Sequence, residues 1–204
     1  MKQEDGAQVI PPAHSISSAQ TIPSFGLERR SVLKTLLWGS ASMVAIGAFG
    51  PAALAGPATQ SGWRWCGKCE GSFYGVATAG KGVCPADHHP HSDAGSGKYS
   101  QLIGEDIPKL QQGGWRWCSK CEGMFYGRAS AGKGVCPAGG AHTDAGSGHY
   151  AIALGEDSPG RQGGWRWCSK CEGLFYGRAT AGMGVCPAGG THTDAGSGHY
   201  VQLT

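Results

Sequence analysis

The stretch Trp115-Arg116-Trp117-Cys118-Ser119-Lys120-Cys121-Glu122-Gly123-Met124-Phe125-Tyr126-Gly127 decides how the rest of the chain is read. It opens by alternating large and polar side chains, as a half-buried strand does. Two cysteines separated by two residues then make a tight turn, and Phe125-Tyr126 begins a strand running back. The same stretch opens again at Trp63 and at Trp165. All three copies share W-R-W-C-x-K-C-E-G-x-F-Y-G, then A-G-x-G-V-C-P-A, then H-[ST]-D-A-G-S-G-x-Y. Between Trp and closing Tyr, the second and third copies differ only at Met124/Leu174, Ser130/Thr180, Lys133/Met183 and Ala141/Thr191. Their agreement therefore teaches little, and what the more divergent first copy still shares teaches more.

Outward from the opening strand, each copy reads as a short β unit. Gly80-Lys81-Gly82 is turn chemistry, Val83-Cys84 a short strand, and Pro85-Ala86 another turn. Tyr99 to Ile103 and Tyr150 to Leu154 read as closing strands, and the polar links are Gly104–Gln112 and Gly155–Gln162. No part of residues 56–204 carries a helical period, so the expected class is all-β, built of three tandem hairpin modules. The expected divisions are residues 1–55, 56–112, 113–162 and 163–204. Two architectures suit short links: independent modules in a row, or three units closed into one pseudo-threefold, trefoil-like body. A packed arrangement is favoured slightly.

The chain has 37 Gly, 11 Pro and only 5 Phe in 204 residues, so it has little apolar volume for a single large core. Units this small usually need disulfides or a metal. All nine cysteines lie in the repeats, three to a copy, and an odd number cannot pair off within a copy. The pattern in each copy is C-x2-C, a third Cys, then a His. The sites are Cys66, Cys69, Cys84 and His91; Cys118, Cys121, Cys136 and His142; and Cys168, Cys171, Cys186 and His192. A C-x2-C knuckle places two sulfurs on one ion, and a second turn completes a tetrahedron. These stretches resemble a zinc ribbon, although the second turn is C-P-A-G-G-x-H, or C-P-A-D-H-H-P-H in the first copy, where a ribbon has a second C-x2-C. The resemblance implies three zinc ions per chain, one for each Cys3His set.

The fourth ligand follows from comparing the copies. His149 and His199 align with Lys98, which excludes that position. His91, His142 and His192 align throughout, with His88 and His89 as rivals in the first copy. Asp93, Asp144 and Asp194 recur too, but thiolate-rich sites favour imidazole, so an Asx-type turn or a hydrogen bond behind the ligands suits them better. The competing readings are a C-x2-C disulfide with a free third thiol, or mononuclear iron.

Each copy also holds more large rings than a small module hides. The candidate ligand-binding rings are Trp63, Trp65 and Tyr74; Trp115, Trp117 and Tyr126; and Trp165, Trp167 and Tyr176. In a strand Trp63 and Trp65 share one face and Cys66 the other, so the indoles lie away from the metal. Core packing is the plain reading of any one ring; a stacking platform for sugars or a partner protein is the other. Arg64, Arg116 and Arg166 are read as solvated or as lying over an indole.

Ahead of the repeats, Glu28-Arg29-Arg30-Ser31-Val32-Leu33-Lys34 precedes an apolar run from Thr35 to Ala55 that ends Ala53-Leu54-Ala55. This resembles a twin-arginine (Tat) signal with Arg29 and Arg30 as its pair and cleavage after Ala55. The resemblance implies the Tat translocase as a partner and a periplasmic or secreted destination. An uncleaved membrane anchor is the alternative, since the run is long enough to span. Tat signals are associated with proteins folded before export. That suits thiolate ligands, which load metal in the reducing cytoplasm and would oxidise in the envelope.

The formal charge is +3, and removal of residues 1–55 lowers it by one. So neutral a chain does not suit nucleic-acid binding. The leading expectation is an exported, non-catalytic binding or adhesion module for cell-wall polysaccharide or an envelope protein, whose repeated sites would gain from avidity. A closed Cys3His site argues against catalysis. The alternatives are a hydrolase with an open zinc site, with Asp93, Asp144 or Asp194 as base, and a metal-storage or redox-buffering protein. Repeats of the W-R-x-C-x-x-C kind are known in secreted bacterial proteins, but the resemblance brings no established activity with it.

Overall fold

The computed structural model describes residues 57–105 and 110–204. Arg29, Arg30 and the site after Ala55 lie outside them. Nine strands and no helix occur among the described residues. The first repeat contributes β1 (Thr59–Trp65), β2 (Ser72–Tyr74) and β3 (Tyr99–Ile103). The second contributes β4 (Gln111–Trp117), β5 (Met124–Tyr126) and β6 (Tyr150–Leu154). The third contributes β7 (Arg161–Trp167), β8 (Leu174–Tyr176) and β9 (Tyr200–Leu203). Within each repeat the first strand pairs antiparallel with both the second and the third.

The closing strands join the repeats. β3 pairs with β6, β6 with β9, and β9 with β3, so one nine-stranded sheet curls into a nearly closed barrel. The second strands close the body again at another level. The Tyr74 N–H donates to the Glu122 carbonyl, that of Tyr126 to Glu172, and that of Tyr176 to Glu70, each at 2.8 Å. The cycle passes through all three repeats and returns to the first. Of the two expected architectures, the closed body is the one observed.

Closure explains where the surplus rings go. Trp63, Trp115 and Trp165 are fully buried. Each meets the closing tyrosine of another repeat edge to face: Trp63 with Tyr150, Trp115 with Tyr200, Trp165 with Tyr99, at 5.3–5.4 Å. Such pairs contribute roughly 0.5–1.5 kcal/mol beyond area burial. At the centre, Gln101 and Gln202 are buried and bonded to each other at 2.6 Å, while the second repeat places Ile152 at that position. The first strands bend where Gly62, Gly114 and Gly164 take positive φ beside a shift of register. A side chain there would run into Tyr74, Tyr126 or Tyr176.

Two local expectations differ. Val83-Cys84 is not a strand. The Cys84 N–H donates to the His89 carbonyl and its carbonyl accepts from His88, so the loop closes on itself and offers no edge for pairing. The links are also shorter than expected: β4 starts at Gln111 and β7 at Arg161, residues assigned to linkers by their polarity.

Candidate metal centre

The C-x2-C knuckle follows directly from β1 and its equivalents. The Glu70 N–H donates back to the Cys66 carbonyl at 2.7 Å and the Cys66 N–H to the Gly71 carbonyl at 3.0 Å, which folds the turn and lifts both sulfurs to one side. The left-handed conformation needed at its end falls on Glu70, Glu122 and Glu172 (φ 62–64°). That conformation disfavours most side chains, and here it is held in place from two directions. The glutamate carbonyl accepts from the neighbouring repeat, and its carboxylate accepts the indole N–H of Trp65, Trp117 or Trp167 at 2.7 Å. Burial raises the pKa of each of these carboxylates, and the indole N–H partly offsets the rise.

The third cysteine and the histidine arrive from the loop between the second and closing strands. Cys66, Cys69, Cys84 and His91 come together, as do Cys118, Cys121, Cys136 and His142, and Cys168, Cys171, Cys186 and His192. In each set the four donor atoms lie within 4.8 Å of one another, and every member is buried. The sulfurs of Cys66 and Cys84 are 3.9 Å apart, and Cys69 Sγ lies 3.5 Å from His91 Nδ1; the other repeats give the same distances. Metal–sulfur bonds of about 2.3 Å in a tetrahedron give sulfur–sulfur edges of roughly 3.8 Å. All nine cysteines are free. In the first repeat the imidazole within reach is His91, while His88 and His89 sit on the exposed part of the loop.

The surroundings orient the donors. Phe73 stacks on His91, Phe125 on His142 and Phe175 on His192, with centroids 4.6–4.7 Å apart and planes within 20°. The Ser92 and Thr143 N–H groups point at Cys66 and Cys118 sulfur at 3.5 Å. Hydrogen bonds from Cys69, Cys121 and Cys171 hold the Cys66, Cys118 and Cys168 thiols far below their ordinary range, whereas the donating thiols are pushed up. Burial works against charge on His142 and His192, but the sulfurs around them prevail and push both up to about 9. One thiol in each set is thus favoured as the thiolate, the form in which sulfur binds a metal.

Several recurrent residues have a place that spacing alone did not give them. The knuckle lysines reach across to the histidine loop: Lys120 bonds the Gly139 and Ala141 carbonyls, Lys170 those of Gly189 and Thr191, and Lys68 binds Asp87 and the Pro90 carbonyl. Asp93 and Asp144 pair with Lys81 and Lys133 behind the ligands, and Met183 takes that lysine's place in the third repeat. The backbone carbonyls of Asp93, Asp144 and Asp194 accept from the Ser96, Ser147 and Ser197 N–H groups, so the turn is a backbone turn rather than the expected Asx-type one, and the Asp93 and Asp144 carboxylates go to the lysines instead. The lysines and glutamates recur visibly in W-R-W-C-x-K-C-E-G; only their partners were hidden. His149 and His199 lie at the surface, paired with Glu105 and Glu156. Each Arg64-type guanidinium donates to the carbonyl of the tryptophan before it.

The nine candidate ligand-binding rings divide in two. Trp63, Trp115 and Trp165 belong to the core, where no ligand reaches them, because the barrel closes over that end of β1, β4 and β7. Trp65, Trp117 and Trp167, with Tyr74, Tyr126 and Tyr176, are half-buried. Two clefts open where repeats meet. One, of about 450 Å³, lies between the first and second repeats, with Tyr74 and Val76 on one side and Trp117 and Tyr150 on the other. The other, of about 300 Å³, has the equivalent Tyr176 on one side and Trp65 and Tyr99 on the other. The described body is thus an all-β, three-repeat protein with three buried Cys3His clusters and aromatic clefts at its seams. Comparison with protein-family models, with curated proteins and with solved structures finds no match.

Proposed function

We propose that this protein is a zinc-stabilised binding protein, exported through the Tat pathway to the periplasm or beyond the cell, that attaches to envelope polysaccharide. The observation that supports it most is a repetition of two features together. The same four-donor cluster and the same half-buried indole recur three times around one body. Thiolate and imidazole donors in a tetrahedral spacing suit zinc, and four protein donors leave no position for a reacting water. Cysteines with at most 2% of their surface exposed are also poorly placed for rapid metal exchange or redox buffering. Both points favour a structural metal over a hydrolase or a store. Structural zinc supplies folding free energy on the order of 10 kcal/mol per site in small domains. The clefts and their rings offer what sugar recognition needs: rigid apolar faces with polar groups close by.

The test is co-sedimentation of zinc-loaded protein with purified cell-wall polysaccharide, alongside metal counting by native mass spectrometry. Three zinc ions per chain and saturable binding, both lost on chelation, are expected. A native protein without stoichiometric zinc, or one that sediments with no envelope polymer, would refute the reading.

A further inference from the structure

The two clefts are built at equivalent positions, and their differences are informative. Gln60, Tyr74, Trp117 and Tyr150 in the larger cleft match Gln162, Tyr176, Trp65 and Tyr99 in the smaller. Each site draws its rings from two repeats, so neither exists in an isolated module. In the larger cleft the Tyr150 hydroxyl donates to Gln60 Oε1 at 2.6 Å, and the Trp117 indole N–H donates to Glu122 Oε2 at 2.7 Å. Both bonds fix a ring in place, so little freedom remains to be lost when a ligand stacks.

What sets the larger cleft apart is its rim. Val76 and Ile103 line it and are 53% and 45% exposed, unusually open for large apolar side chains. At the Val76 position the other repeats carry Arg128, paired with Glu105, and Arg178, paired with Glu156 and Asp157. At the Ile103 position the smaller cleft has Thr204, and Lys98 stands beside it. Among the described residues the larger cleft therefore has an aliphatic rim without cations, and its one ionisable carboxylate is Glu122.

We infer that the cleft between the first and second repeats is a saccharide site selective for an uncharged N-acetylated hexosamine within a β-linked chain. This rests on the polysaccharide-binding reading above. A pyranose with equatorial substituents presents a flat C–H face to Trp117 and Tyr74. Its acetamido methyl finds an apolar surface in Val76 and Ile103, and its amide N–H finds acceptors in Glu122 and Gln60. A carboxylated sugar would meet the Glu122 charge with no cation among the described rim residues to balance it. A sugar without the acetamido group would leave the aliphatic rim in water.

The test uses the full exported chain loaded with zinc, titrated by calorimetry with penta-N-acetylchitopentaose, cellopentaose and oligogalacturonate. The chitin oligomer is expected to bind, with cellopentaose and oligogalacturonate each weaker by about tenfold or more. Val76→Arg reproduces at this cleft what the other repeats carry, and lies at the surface where folding tolerates it. It is expected to weaken chitopentaose binding by about tenfold. Leu110→Arg places the same charge at an even more exposed apolar residue outside the cleft (74% exposed) and is expected to change nothing. Indole N–H resonances followed by NMR should show Trp117 shifting most. Equal binding of cellopentaose, no effect of Val76→Arg, or an unmoved Trp117 resonance would overturn the inference. If chitopentaose fails to bind while cell-wall polymer is still retained, the site assignment falls and the broader reading stands; if neither binds, both fall.

Discussion

At the scale of single residues, the glutamate after each knuckle does the most varied work. Glu172 holds a left-handed backbone, receives Tyr126 from the previous repeat through its carbonyl, and receives the Trp167 indole through its carboxylate. Only the last of these depends on the side chain. Glu172→Ala leaves a half-buried indole N–H without its acceptor and is expected to lower stability by about 1–3 kcal/mol. Glu172→Gln keeps an acceptor oxygen and removes a buried charge, so it should stay within about 1 kcal/mol of the native protein. Thermal unfolding of the two variants at constant zinc checks this; equal losses would mean that the carboxylate is not the acceptor that matters. The glutamate recurs in all three copies and was legible as a recurrence. Its role was not, because the tyrosine that depends on it belongs to another repeat.

Among the elements, the closing strands and the ligand loops carry the contacts between repeats. Gln101 of β3 and Gln202 of β9 share a buried hydrogen bond where β6 offers Ile152. Gln101→Leu strands its partner and should cost about 1–3 kcal/mol, whereas Gln101→Leu with Gln202→Leu should recover most of the loss. A double-mutant cycle in urea measures the coupling, and additive losses would contradict it. In the ligand loop, Gly134 takes φ +64°, and a β-carbon there would sit 2.2 Å from the Cys171 carbonyl oxygen of the next repeat. Gly134→Ala is expected to cost roughly 2–4 kcal/mol from left-handed strain and overlap together. A change in melting temperature of a degree or less would show that this seam is loosely packed. Strand positions were readable from alternation: Tyr99–Ile103 and Tyr150–Leu154 stand where the pattern put them. Val83-Cys84 misled because apolar character next to a turn resembles a strand, while the loop's donors turn inward on themselves.

For the whole molecule, closure and metal share the task of replacing a large core. A lone repeat, residues 57–105, would expose Trp63 and Tyr99 along with the edge of β3 that pairs with β6 and β9. With zinc it is expected to assemble into a trimer that restores the three seams, as read by sedimentation. A stable folded monomer would show that the seams contribute little and that coordination alone holds each unit. Under the zinc reading, a chelator should melt all three repeats in one transition, because each metal loop packs against the next repeat's knuckle. Separate transitions followed by circular dichroism would argue for independent modules.

The amino-acid order alone determined that the repeats are all-β, that there are three of them, and that three cysteines and a histidine converge in each. Alternation, turn residues and ligand spacing are local, and local chemistry is written in neighbouring residues. Tertiary structure decided that the repeats close on themselves. It also decided that Trp63, Trp115 and Trp165 are core while Trp65 and Trp117 border clefts, and that the two clefts differ in the charge of their rims. Adjacent tryptophans of one strand look alike in sequence. Which of them meets water depends on a tyrosine about 90 residues away in the chain from another repeat, as with Trp63 and Tyr150, and only the closed ring of repeats brings the two together.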